Sequence, residues 1–264
     1  MFPDSIWEKV RALAAGDLIA ELRGWRAELV GPRHSFMPTA SELSSPCPTK
    51  RDVYLSRVLR AKPPDDRAMK AGAQLHSAFL EPFRVVLRRG RVVESLAHAK
   101  AKLLRGLSSE LRARAAECFD LGASLASAWL YSGRRLPLAV EPELPGSPIG
   151  LSGVVKPDLV VGVIPLDFVL GDGERKDVGV AAYAMALEAS TFTPVNFGIV
   201  VSFQWSGSVS WRVVIVDDEL RRRALELRDD LAGIVERGED PGRAERCPQL
   251  CAWRGVCFEG LVRV

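Results

Sequence analysis

GVVKPDLVVGVIPLDFVLG, residues 153–171, is the stretch from which the fold of this chain is read. Two aliphatic runs, VVKPDLVV and IPLDFVLG, flank Gly162-Val163, and Gly-X between such runs signals a two-residue type II′ hairpin turn. A two-residue turn fixes the register, because facing residues then have numbers of constant sum. Leu159 is expected to face Leu166, and Asp158 to face Asp167. Side chains alternate between the faces of a strand, so Lys156 is expected on the face of Asp158, opposite Val169. Two carboxylates set directly opposite repel each other, and a cation between them removes that penalty. Oxygen donors at such a separation suit Mg²⁺ or Mn²⁺. One aspartate capping the hairpin while the other is solvated accounts for the pair without a cation, and a three-residue turn would undo the alignment.

Outward from the hairpin, residues from about 137 to 216 keep the strand period, in LAVEPEL, LSGVVKPDLVV, IPLDFVLG, FGIVVSF and VSWRVVIV. A helix over about 176–189 (KDVGVAAYAMALEA) interrupts them. A second, over about 217–237, carries Leu220, Ala224, Leu227, Leu231 and Ile234 on one face. The chain before about residue 130 reads as helices rich in Leu, Ala and Arg, broken at Gly31-Pro32, Pro46, Pro48 and Pro63-Pro64. No repeat or low-complexity tract is present. The expectation is one mixed α/β domain over 1–264: a mainly helical region (1–135), a sheet-containing core with its following helix (136–240) and a cysteine-bearing tail (241–264).

At 264 residues, 47% hydrophobic and 26% charged, the composition is that of a soluble globular protein. The apolar runs are too short to cross a bilayer, and the start, MFPDSIWEKVRALAAGD, has early acids and no basic leader. A cytoplasmic protein without membrane attachment is expected. The net charge of +3 permits a nucleic-acid partner without arguing for one.

In a reducing compartment clustered cysteines more often hold metal than form disulfides. CPQLCAWRGVC, residues 247–257, spaces Cys247, Cys251 and Cys257 as C-x3-C-x5-C, one ligand short of a tetrahedral or iron–sulfur set. Cys118 recurs with Leu111, Ala115, Leu121 and Leu125 at helical spacing and reads as core. Cys47, between two prolines in SSPCPTKR, is the better fourth ligand. A cross-link from Cys47 to the tail closes a loop of about 200 residues, an upper estimate of about 5 kcal/mol by chain entropy. A 4Fe–4S cluster is the preferred occupant; zinc and unligated thiols are the alternatives, and the short C-x2-C knuckles common in zinc ribbons are absent. His76, in AGAQLHSAF, sits on a helix at a different angle from Leu75 and Phe79, whereas His34 and His98 carry no pattern.

The collinear order of TASELSSPCPTKRDVYL, AGAQLHSAF, GLSGVVKPDLVV, PLDFVLG, AAYAMALE and the three-cysteine tail resembles the CRISPR-associated branch of the RecB-like, PD-(D/E)xK iron–sulfur nucleases of spacer acquisition, over residues from about 37 to 260. The resemblance implies a mixed central sheet flanked by helices, with a C-terminal iron–sulfur segment clipped to the N-terminal region. It implies that His76, Asp158, Asp167 and the Phe168 carbonyl bind Mg²⁺ or Mn²⁺, that Tyr183 is the aromatic residue of the following helix, and that Cys47, Cys247, Cys251 and Cys257 hold a 4Fe–4S cluster. Two positions depart from the family pattern: Val169 stands where acid-x-Lys has its lysine, and Gly179 where a glutamine precedes the tyrosine. Lys156, across from Val169 in the hairpin register, is read as a migrated lysine. Lys50, Arg51, Tyr54, Arg57 and Arg60 are candidate DNA contacts, and Trp253 a shield for the cluster.

The function so implied is a metal-dependent DNA exonuclease that trims precursor spacers, acting on single-stranded ends alongside CRISPR integrase subunits, with homo-oligomerisation left open. The alternative is a catalytically weak or inactive iron–sulfur DNA-binding or scaffold subunit of the spacer-integration complex. Electron transfer has little support, since no glycine-rich strand-to-helix turn for a flavin or nicotinamide is present.

Overall fold

A computed structural model of the chain describes residues 3–14, 19–63, 67–88, 92–131, 136–171, 176–204, 206–247 and 251–259. Pro64, one of the expected breaks, and residues 248–250 within the cysteine tail lie outside the described residues.

The helical front contains α1 (Asp4–Ala14), the short α2 (Ala27–Val30), α3 (Ala40–Leu43) and α4 (Arg51–Val53), which runs into a π-helical turn at Tyr54–Val58. Helix α3 starts at a capping box, with the Glu42 amide donating to Thr39 Oγ1 and the Thr39 amide to Glu42 Oε2. Three longer helices follow: α5 (Arg67–Leu87), α6 (Val92–Arg105) and α7 (Ser109–Tyr131). Helices α5 and α7 approach closely at Gly122, where a Cβ would stand 2.1 Å from the Phe79 carbonyl oxygen, so only glycine fits.

The strands are β1 (Leu138–Val140), β2 (Leu144–Pro145), β3 (Val154–Val155), β4 (Leu159–Val161), β5 (Ile164–Leu170), β6 (Phe197–Phe203) and β7 (Val209–Ile215). Helix α8 (Lys176–Thr191) joins β5 to β6, helix α9 (Asp218–Arg237) follows β7, and α10 (Arg254–Glu259) lies in the tail. Five strands form a mixed sheet in the order β1-β4-β5-β6-β7, and β2 with β3 forms a separate pair. Only β5–β6 is parallel, because only this connection contains a helix long enough for a crossover.

The β4–β5 hairpin has the register that the sequence specifies, with Leu159 facing Leu166 and Val161 facing Ile164. Gly162 takes φ +64° while Val163 stays out of the positive-φ region, the φ pattern of a II′ turn.

Helices cover both faces of the sheet. Leu159, Val161, Leu166, Phe168, Ile199, Val201 and Phe203 pack with α1, α5 and α7. Their alternates Val160, Val169, Val200 and Val214 pack with α3, α8 and α9. A sheet covered twice buries nearly continuous apolar strands, as in IPLDFVL and FGIVVSF. Asp167 is the charged exception in these two strands, a carboxylate on the α8 face of β5 that is only 3% exposed.

On that α8–α9 side the core encloses a charged group. Glu188 and Arg221 are fully buried and Arg23 nearly so. Glu188 Oε2 accepts from Arg221 NH1 at 2.6 Å and from the Gly24 amide at 2.9 Å. Its Oε1 accepts from Arg23 NH1 at 2.6 Å, Arg221 NH2 at 2.9 Å and the Val195 amide at 2.9 Å. Arg221 also donates to the carbonyls of Leu22, Val195 and Val216. The chain near residue 23, α8 and α9 are thus locked at one carboxylate.

Candidate active site and cysteine cluster

The hairpin sets Asp158 immediately before β4 and Asp167 within β5, while α5 brings His76 across from the opposite helical layer. His76 Nε2 lies 2.7 Å from Asp158 Oδ1. Asp158 Oδ2 accepts the Phe168 amide at 2.6 Å, so its carboxylate bridges the two strands where the ladder ends. The Phe168 ring stacks on Phe79 at 4.1 Å, one turn along α5 from His76, and so fixes that helix against β5. Tyr183 from α8 points its hydroxyl at Asp167 Oδ1, 3.5 Å away. Lys176, the first residue of α8, places Nζ 3.1 Å from Asp167 Oδ2.

Burial raises the Asp167 pKa above the usual carboxylate range, and the Asp158 charge raises it further; the charges of Lys176 and His76 work against that shift. Burial disfavours the Lys176 ammonium, but the carboxylates of Asp167 and Asp158 outweigh it and keep the amine protonated. His76 behaves alike: burial opposes its imidazolium, while the hydrogen bond and charge of Asp158, then Glu141 and Asp167, raise its pKa. The Tyr183 phenol is raised well above its ordinary value by burial and by both aspartates, so it donates rather than ionises.

No group of three or more His, Cys, Asp or Glu side chains is gathered for a metal ion among the described residues. The reason is visible at each carboxylate. Asp158 is turned onto His76 and the Phe168 amide, and Asp167 onto Lys176 and Tyr183. The donor set nevertheless suits a hard divalent cation. Asp167 Oδ2 is buried with no hydrogen-bond donor among the described residues beyond its ion pair with Lys176. Beside it stand a second carboxylate and an imidazole.

Lys156 is not brought to this group. The β4–β5 ladder stops at Leu159 opposite Leu166, and before that point the chain belongs to the β2–β3 pair. Lys156 Nζ therefore pairs with Glu143 at 2.7 Å, half exposed, and the expected alignment of Lys156 with Val169 does not form. Val169 lies in the core beneath α8. At Gly179 a Cβ would meet Ser44 Oγ at 2.3 Å, so a hydroxyl from α3's end fills the space a side chain would need. Lys176 was not singled out in the sequence. Its one local signal is a lysine opening a helix, where the macrodipole favours acids.

The basic residues after Cys47 mostly have structural partners. Lys50, left-handed at φ +60°, buries its ammonium against the carbonyls of Leu43 and Ser45. Arg51 grips Asp240 with two nitrogens, and Arg57 pairs with Glu42. In this structure these three residues fold the cysteine loop, while Arg60 takes φ +52° after the π-helical turn.

Cys47 is buried in that loop. Thr49 donates to the Gly242 carbonyl at 2.8 Å, and with Arg51–Asp240 this ties the loop to the segment leading into the tail. Burial raises the Cys251 thiol, and the Cys247 and Cys47 sulfurs raise it further, against the Trp253 amide. Cys257 is raised by burial, lowered by the adjoining Arg51, and raised by Cys251 and Cys47. Cys251 is thus within electrostatic reach of Cys247 and Cys47, and Cys257 of Cys251 and Cys47, without a gathered group of three among the described residues, and none of the four is in a disulfide. That set matches the donors of a four-thiolate centre. Cys118 is different: buried inside α7, its thiol is pushed up to about 12 by desolvation and by Glu117.

A family model described as CRISPR-associated exonuclease Csa1 matches residues 4–260. A protein of that name from Thermoproteus tenax is 30% identical over 255 residues, covering 90% of each chain. Another of the same name, from Saccharolobus solfataricus, is 26% identical over 268 residues, covering 90% of this chain and 91% of the relative.

Proposed function

The chain belongs to the CRISPR-associated exonuclease Csa1 family, and on that premise we propose that it is a metal-dependent DNA exonuclease of RecB-like core that trims precursor spacer DNA. The observation that carries the reading is the meeting of His76, Asp158, Asp167 and Tyr183 at one end of the hairpin, around a buried Asp167 oxygen that has no donor among the described residues beyond its ion pair with Lys176. His76, Asp158, Asp167 and the Phe168 carbonyl would hold Mg²⁺ or Mn²⁺. A bound divalent cation supplies charge neutralisation at the phosphate and a nucleophilic water at neutral pH.

In the hydrolysis a water oxygen forms the new bond to phosphorus. The bond to the leaving sugar oxygen breaks with its electron pair on that oxygen, which gains a proton as the attacking water loses one. The residues' own parts are narrower. His76 holds Asp158 through one carboxylate oxygen while the Phe168 amide holds the other. Tyr183 orients Asp167 by donating to Oδ1, leaving Oδ2 to Lys176 and, when bound, the cation.

End-labelled single-stranded DNA with Mn²⁺ tests the reading. Products shortened stepwise from one end, and abolished by EDTA, are expected. Internal cuts, or cutting that persists in EDTA, would refute it. No cutting at all would instead favour a non-catalytic DNA-binding subunit beside the integrase, a reading to which Val169 and Gly179 give some weight.

Cys47, Cys247, Cys251 and Cys257 are proposed to hold a 4Fe–4S cluster, which would clip the tail onto the N-terminal loop. Protein purified without oxygen should be brown with about four irons per chain. Cys251→Ser should lose most of the iron and melt at a lower temperature. A colourless protein loaded with zinc would overturn the cluster assignment.

A further inference from the structure

Resting on the nuclease reading above, we propose that Lys176 is the lysine of this active site, delivered from the first turn of α8 instead of from β5. An acid-x-Lys strand puts its ammonium beside the acid because residues two apart share a face. Here the position two beyond Asp167 is Val169, 6% exposed in the α8-side core. The same carboxylate nonetheless has an ammonium at 3.1 Å, and it belongs to Lys176. Lys156, the sequence's own substitute, is committed to Glu143.

The placement of Lys176 runs against local preference. The positive end of a helix dipole disfavours a cation in the first turn, and desolvation disfavours burying one. The neighbouring Asp177 follows the ordinary rule and pairs with Arg212 of β7. What holds Lys176 in place is Asp167, on the strand that α8 immediately follows. Its side chain is still about one-third exposed, against 4% for Asp167, so part of the lysine faces solvent beside the buried carboxylate. A phosphodiester oxygen approaching Asp167 would meet Lys176 first. Its ammonium would donate to a non-bridging phosphate oxygen, where negative charge grows as water adds.

This role predicts two effects of opposite sign. An ammonium next to a cation ligand aids the phosphate but repels the cation. Lys176→Gln should slow single-turnover cleavage of end-labelled DNA by about 10²–10³-fold. The same variant should bind Mn²⁺ alone, without DNA, at least about threefold more tightly by calorimetric titration. Lys176→Arg, which keeps the charge, should recover at least about tenfold of the lost rate. A merely structural lysine would move both readouts the same way, so loss of cutting together with weaker Mn²⁺ binding would overturn the proposal. Lys176→Gln cutting at the wild-type rate, in a preparation where Asp167→Asn is inactive, would overturn it while leaving the nuclease reading intact. If Asp167→Asn also cuts normally, the nuclease reading itself has failed, and the role of Lys176 with it.

Discussion

Asp167→Asn should reduce Mn²⁺-dependent DNA cleavage by about 10³-fold or more, because a metal-site carboxylate contributes several kcal/mol of charge stabilisation and each 1.36 kcal/mol is tenfold in rate. It should do so with little change in melting temperature. Two effects on stability oppose each other at this residue. Removing its charge relieves a desolvated carboxylate that Asp158 repels, and gives up the attraction of Lys176. The amide oxygen can still accept from Tyr183. Asp158 is a poorer probe of chemistry, since Asp158→Ala also strips the buried Phe168 amide of its acceptor and His76 of its partner. An orphaned buried donor alone costs about 1–3 kcal/mol. Single-turnover cleavage and differential scanning calorimetry on the same preparations separate the two quantities. Wild-type cutting by Asp167→Asn would place the activity at another site or in a contaminant.

Glu188→Ala should destabilise the protein by about 3–5 kcal/mol, the usual result of removing one partner from a buried ion pair. The cost arises from what remains. Arg221, fully buried, would keep its charge without the carboxylate that meets it at 2.6 Å, and Arg23 would lose its ion pair with the same carboxylate. The Gly24 and Val195 amides would lose an acceptor each. Against a typical net stability of about 5–15 kcal/mol, this is a large fraction. For a chain of this size the melting temperature should fall by about 6–20 °C. A shift below about 2 °C would mean that the group is not the lock between α8 and α9 that its geometry describes. Since Glu188 lies on α8 with Lys176 and Tyr183, loosening it should also impair cleavage at temperatures well below the melt.

How much of this was legible depends on the range over which each feature is specified. The hairpin register follows from two residues, Gly162 and Val163, because a two-residue turn leaves no freedom in the pairing. Cys118 was legible as core from helical spacing. The α9 face was legible too, since Ala224 and Leu231 are buried where the period puts them. Lys156 failed because the constant-sum rule holds only as far as the ladder runs. Asp158 ends the ladder by turning its carboxylate onto the Phe168 amide, and Lys156 beyond it follows β3. Glu188 gave no signal at all: in AAYAMALE it is one acid closing an alanine-rich helix, and its partners stand 33 and 165 residues away.

The sequence by itself therefore determined the strand register, the helical periods and the family, all of which are written in short spacings or in the order of short segments. Only the tertiary structure decided which cation meets which buried carboxylate. Lys176 reaches Asp167, and Arg221 reaches Glu188, because α8 and α9 pack across the sheet at a particular rotation. Coulomb attraction and desolvation act through space, so the partner of a buried charge is set by the packing of whole helices and leaves no period in the chain.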